Sequence, residues 1–232
     1  MPTRSPAGRA LAAGIAACAV LAGCGGDDGG GGGDGESSQA LRVAVARTEA
    51  AKTARMRFDS SITGPRGTTF RGEALVDFEH DRVRLSMGSG GETIQMFSDG
   101  SDEYVRRGTS GRYSPLPQSA QSPVANNPTD SLKYLGTDVV DVRRGDESGC
   151  YEGDLDFDRV IQRVEAGREG EVPDQLRGLK APVVVCVDSL GRIRRYDVEL
   201  SVEGAEVKMT STLTDYGRVP PVEPLSAGER PR

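Results

Sequence analysis

The sequence predicts an α+β domain in which a strongly curved antiparallel sheet is covered on its concave face by a few helices. Two-residue alternation of apolar and polar side chains recurs between Met56 and Leu213, as half-buried strands require. Only three stretches, residues 39–54, 128–135 and 157–166, carry helical composition and spacing, so few helices must cover one long apolar face. With five Phe and no Trp, the interior has to be filled by Val, Leu, Ile, Met and Ala, and a curved sheet furnished in this way leaves space inside.

The first element precedes that domain. Arg4 and Arg9, with no acid beside them, lead into the apolar run from Ala10 to Gly23, the make-up of an export signal. The run falls short of the roughly 18 apolar residues a membrane span needs and is broken by glycine. Leu21-Ala22-Gly23-Cys24 resembles the bacterial lipobox, which implies that residues 1–23 are removed, that the Cys24 sulfur carries diacylglycerol and that the new amino terminus is acylated. Plain secretion is the alternative. Residues 24–38 continue almost entirely in Gly, Asp and Ser, too polar to offset their ordering entropy, and are expected to form a disordered tether about 20 Å in reach.

The domain itself is expected over residues 39–222. Ser37 or Ser38 can cap a helix running to about Ala54. Met56, Phe58 and Ile62 then alternate with Arg55, Arg57 and Asp59 in a first strand. Phe70, Gly72, Ala74, Val76 and Phe78 share a face of the next, the chain turns at Glu79–Asp81, and Val83, Leu85 and Met87 return. Two short strands, containing Ile94 and Met96 and then Tyr104 and Val105, surround Asp99-Gly100, which completes a meander with one apolar face. After a proline-rich loop to Asn127, a helix is expected from Pro128 to Gly136. Two strands around Gly145, the helix beginning at Phe157, and three closing strands complete the domain; Val198 and Leu200 lie in phase on the second of these, Val207, Met209 and Leu213 on the last. The tail, residues 223–232, is expected to be disordered.

Removing residues 1–23 takes two of the 29 basic residues and no acid, leaving 27 against 35 acidic and a net charge of −8. That balance disfavours nucleic acid and a polybasic grip on anionic lipid. If Cys24 is acylated, Cys150 and Cys186 have only each other, and export places them where disulfides persist. Both fall in the strand phase opposite the apolar set, Tyr151 and Leu155 for one and Val183, Val185 and Val187 for the other, so a cross-strand bridge on the side away from the core is expected.

The stretches "SDGSDEYVRRGTSGRYSPL", "SLKYLGTDVVDV" and "VVVCVDSLGRIRRYDVEL", followed by "LTDYG", resemble the actinobacterial LppX/LprG-type lipoproteins, which share the LolA/LolB half-barrel. The similarity runs from about residue 39 to residue 222. It implies a concave sheet closed by helices around a hydrophobic cavity for acyl chains of a lipid or glycolipid. It also implies a place on the extracytoplasmic face of the cell membrane in envelope transport or assembly, with a membrane transporter as a further partner. Tyr113 stands where relatives often have Trp, and the cysteine pair looks particular to a subgroup.

Other motifs carry blander readings. Asp154, Asp156, Asp158 and Glu165 have calcium-loop spacing, but Arg159 stands where the loop needs Gly and no helix precedes, so a strand face and a helix cap are expected instead. The only histidine, His80, lies in a turn with no nucleophile motif in the chain. Arg106, Arg143 and Arg194 alternate with core residues and read as solvated faces, with head-group contact at a cavity mouth as the sharper reading. The expectation is therefore a monomeric, non-enzymatic carrier with no cofactor, metal or catalytic residue. Its cavity would be lined by Met56, Phe58, Ile62, Phe70, Ala74, Val76, Phe78, Val83, Leu85, Ile94, Met96, Val198 and Leu200. Each of these could instead be packed core. The competing expectation is an envelope lipoprotein with a closed core, acting as an interaction module or lipoprotein chaperone.

Overall fold

The computed structural model describes residues 32–64, 67–89, 91–100, 102–116, 128–167, 174–202 and 204–231. The export signal, Cys24 and the first part of the tether lie outside the described residues. Helix α1 (Gly32–Glu49) is followed by β1 (Thr53–Thr63), β2 (Thr68–Asp77), β3 (Arg82–Ser89), β4 (Glu92–Asp99), β5 (Asp102–Arg107) and the short β6 (Ser114–Pro115). Then come α2 (Pro128–Thr137), β7 (Val139–Arg144), β8 (Cys150–Asp156), α3 (Phe157–Gly167), β9 (Lys180–Val187), β10 (Ile193–Val202) and β11 (Ala205–Thr214). The eleven strands form one open sheet in the order β6-β5-β4-β3-β2-β1-β11-β10-β9-β8-β7. The described pairings are all antiparallel, so the architecture is two meanders, β1–β6 and β7–β11, zipped together along β1 and β11. The α+β class read from the alternation is the observed one.

Two boundaries differ from the sequence reading. Helix α1 begins at Gly32, inside the segment expected to be tether, and ends at Glu49 rather than near Ala54. A glycine costs about 1 kcal/mol in a helix, a penalty that a helix held elsewhere along its length can carry. At the other end, Lys52 takes φ 67° and Thr53 enters the sheet opposite Asp77, so strand pairing overrides the helix propensity of the alanines.

The inner face of the sheet and the helices form one core. Leu41, Ala44 and Val45 of α1, Leu132 and Leu135 of α2 and Val160 of α3 join Met56, Ala74, Val76, Val83, Leu85, Val183 and Leu213 in a single buried cluster. Helix α1 packs on α2, β7 and β10. It is fastened where a bulge shifts the register between Ile193 and Arg195: the Thr48 hydroxyl donates to the Ala44 carbonyl at 2.8 Å and accepts the Ile193 N–H at 2.9 Å. A buried backbone donor at a bulge is costly unless it is paired.

The C-terminal segment corrects the expectation of a disordered tail. Val222 and Leu225 are buried with Phe97 and Tyr113 in a second cluster, against Leu75 and Tyr104. These strand residues stand opposite the core in phase, so the tail straps the outer face of β2–β5. Asp77, almost fully buried, accepts the Val222 N–H at 3.1 Å, the Tyr113 N–H donates to the Glu229 carbonyl at 2.9 Å, and Arg84 pairs with the Glu229 carboxylate at 3.2 Å.

The cysteines meet as expected. Cys150 and Cys186 are register partners on β8 and β9 and form a disulfide, both buried on the face opposite Tyr151 and Val185. Arg195 lies over it, with Nη2 3.5 Å from Cys186 Sγ and 3.0 Å from the Glu147 carboxylate.

Candidate apolar trough

Strand alternation puts all inward positions of neighbouring strands in register, which turns separate apolar residues into rows. Met56 faces Ala74 on one side and Leu213 on the other, and Leu85 joins Ala74 to Met96. The next row runs Ile94, Met87, Gly72, Phe58, Ser211, Tyr196 and Val185. Beyond it, Phe70, Ser60, Met209, Val198 and Val183 make a third, and Ile62, Val207 and Leu200 a fourth. Arg55, Arg57 and Asp59 point the other way, where they pair with Glu73, Asp215 and Arg71.

Burial is uneven along these rows: Ser211, Tyr196, Val185 and Val183 are closed, whereas the β1–β4 members of the second and third rows are half-exposed. Met56, Ala74, Val76, Val83 and Leu85 are closed over by the helices, at 6 % exposure or less. Phe58, Ile62, Phe70, Phe78, Ile94, Met96, Val198 and Leu200 are only half-buried. The thirteen expected lining residues thus share one phase but divide into a packed floor of five and eight half-buried positions, of which Phe78 lies beyond Val76, across the floor from Phe58, Ile62 and Phe70. Met87 and Met209, half-buried and in phase with the trough, belong with the second group. Their alternation with Leu85 and Val207 was the signal that would have added them.

The rows are mostly apolar, with Arg107 of β5 in register with Ile94 at one end of the second. The Tyr196 hydroxyl lies 3.7 Å from Met56 Sδ, and burial pushes the phenol above its ordinary pKa despite the opposing hydroxyls of Ser211 and Ser131. Gly72 is where Phe58 fits: a Cβ there would come within 2.3 Å of the ring and 2.6 Å of the Ser86 carbonyl oxygen, so the tip of the ring takes the space a side chain would need.

The remaining candidates fall elsewhere. His80 Nδ1 is 3.0 Å from Asp77, in the β2–β3 turn that also holds the tail. Asp156 accepts the N–H groups of Asp158 and Arg159, the helix cap expected, and Asp158 accepts the Gly178 N–H. Arg106 lies 4.5 Å over the Tyr113 ring, Arg143 pairs with Glu152 and Arg194 with Glu147, so these three serve the outer face rather than a trough mouth. No helix among the described residues is long and apolar enough to cross a membrane.

No protein-family model matches the chain, and no curated protein is significantly similar to it. Among solved structures it is similar to LprF from Mycobacterium bovis, at 13 % identity and a TM-score of 0.49, over 84 % of this chain and 99 % of that one. It is also similar to a LolA superfamily protein from Nitrosomonas europaea, at 10 % identity and a TM-score of 0.39, over 76 % and 91 %. A DUF1329 family protein from Desulfovibrio piger follows at 11 % identity and a TM-score of 0.32, over 78 % and 91 %. At these values the chemistry of the site has to come from the chain's own residues.

Proposed function

We propose that the protein is a lipid-anchored, extracytoplasmic carrier whose trough shelters acyl chains of a lipid or glycolipid, without enzymatic activity. The observation that carries this reading is an apolar strip of the inner face left half-exposed along β1–β4 and at the Val198–Leu200 end of β10, while Tyr196, Val185 and Val183 beside it are buried. An ordinary core closes over its apolar rows, whereas Phe58, Ile62, Phe70, Ile94, Val198 and Leu200 stay half-open in a continuous strip. The anchor is Cys24, held by its lipobox-like context, and a membrane transporter is the partner such a carrier would serve.

The fully packed floor favours one competing reading, a closed interaction module, and two substitutions separate them. Ala74, with no exposure and Met56 and Leu85 beside it, has no room for a larger side chain, so Ala74→Trp is expected to cost about 1–3 kcal/mol or more under either reading. Val198, half-exposed between Met209 and Val183, is not closed over, so under the carrier reading Val198→Trp should keep near-native thermal stability while displacing hydrocarbon. The test is mass spectrometry of organic extracts from the purified Cys24→Ala protein. The carrier reading expects acyl lipid in that parent and its loss on adding Val198→Trp; a parent free of lipid after expression in a lipid-rich host overturns it. The anchor is tested by the same parent: Cys24→Ala should move the protein to the aqueous fraction, and persistence on membranes at high salt refutes the anchor.

A further inference from the structure

We propose that the outward flank of α1 and the β9–β10 turn together dock the domain on the lipid bilayer surface. Among the described residues, the large apolar side chains left exposed are Val43, at 37 %, and Leu190, at 63 %. They belong to different elements yet flank one cation. Val43 lies one helical turn before Arg47, and Arg47 Nη1 donates to the Leu190 carbonyl at 3.3 Å. The turn comes this close because Gly191, at φ 73°, has no side chain: a Cβ there would sit 2.4 Å from Arg47 Nη1.

Between helix and turn runs a recess of 360 Å³ whose apolar wall is made by Ala40, Val43 and Ala44 with Tyr151 and Val187. Its α1 positions, from Glu36 through Ala40 and Val43 to Arg47, follow helical spacing, so it extends along the helix with Arg47 at one end. Arg47 has no carboxylate partner among the described residues. Apolar side chains beside a guanidinium that can rise to phosphate level suit the boundary between acyl chains and head groups.

The bilayer is the occupant because of where the chain leads, a step that rests on the anchored reading of Cys24. Residues 25–31 separate that cysteine from the start of α1, and fully extended they span at most about 28 Å. The first helix is therefore confined near the membrane, and a tether so short gives even a weak patch a high effective concentration of bilayer. The mature net charge of −8 keeps the rest of the domain from anionic lipid, so docking is local to this patch.

The absence of Trp from the chain provides a clean probe. Leu190→Trp introduces a single indole at the turn, and Ser201→Trp a single indole at the far end of β10. The acylated mature protein is reconstituted in phosphatidylethanolamine–phosphatidylglycerol vesicles containing lipids brominated on their acyl chains. Docking expects several-fold stronger quenching at position 190 than at position 201, and adding Val43→Asp to Leu190→Trp should abolish the difference while circular dichroism stays unchanged. Equal, water-like emission at both positions overturns the proposal, as does a blue shift at position 190 that depends on protein concentration without vesicles, which would assign the patch to a second copy. Mass spectrometry of the same sample reports acylation. If Cys24 proves unmodified, the anchor reading falls, and coupling its thiol to a maleimide phospholipid still lets the quenching decide on docking.

Discussion

Phe58 and Gly72 show how a single missing Cβ shapes the trough. The Phe58 ring occupies the space a side chain on Gly72 would take, and the Ser86 carbonyl closes the same space from the next strand. Gly72→Ala therefore has two obstacles of different stiffness: the ring can rotate away, but the backbone oxygen moves only with β3. The expected loss is about 1–3 kcal/mol by denaturant titration. Adding Phe58→Leu should recover only part of that loss, because the clash with Ser86 remains. Full recovery would show that the backbone adapts and that the ring alone sets the fit. The sequence placed Gly72 on the apolar face but gave no sign of this contact, since strand phase reports which face a residue occupies and not how high its neighbour stands.

Among the elements, the C-terminal strap is held by carboxylates, so its stability depends on protonation. Burial would raise the Asp77 carboxyl, but the His80 side chain and the N–H groups of His80 and Val222 outweigh it and hold the group below its ordinary value. The Ser226 N–H and hydroxyl, with Arg84, do the same for Glu229. Carboxyls depressed in the folded state contribute stability above the unfolded value, about pH 4, and lose it as pH falls through the folded values. Acidification below about pH 4 should release the strap, read as faster amide exchange at Val222 and Tyr113 before the central strands exchange; simultaneous exchange throughout would show that the strap is not a separate unit. Strands were legible because alternation is a local property, and the same phase argument brought Cys150 to Cys186. The strap was not legible, because Val222 and Leu225 are isolated apolar residues among prolines and acquire meaning only against Phe97 and Tyr113, more than a hundred residues earlier. The start of α1 was missed for the related reason that glycine propensity is a weak local term, and the division of the trough into floor and open rows depends on which rows the helices reach.

For the whole molecule, the disulfide braces the second meander and the β1–β11 seam joins the two. The bridge spans a sequence separation of 36 within the second meander, and Cys150→Ser with Cys186→Ser should cost about 3–4 kcal/mol by the loop-entropy argument, measured as a shift in the denaturation midpoint. Thiol titration of the denatured, unreduced parent should find neither cysteine free; two titratable thiols in protein from an oxidising compartment would contradict the bridge. The seam has a different kind of consequence. Strand β1 is among the first parts of the domain to emerge from a ribosome or translocon, and its partner on one side, β11, is among the last. Until Ala205–Thr214 arrives, the β1–β5 hairpins can assemble by local contacts while the far edge of β1 presents unpaired amides in the middle of what will become the sheet. A nascent chain of this protein thus spends its synthesis as an open template for foreign strands, and a chain stopped at Val202 keeps that template for good, with aggregation or strand exchange between copies as the expected fate.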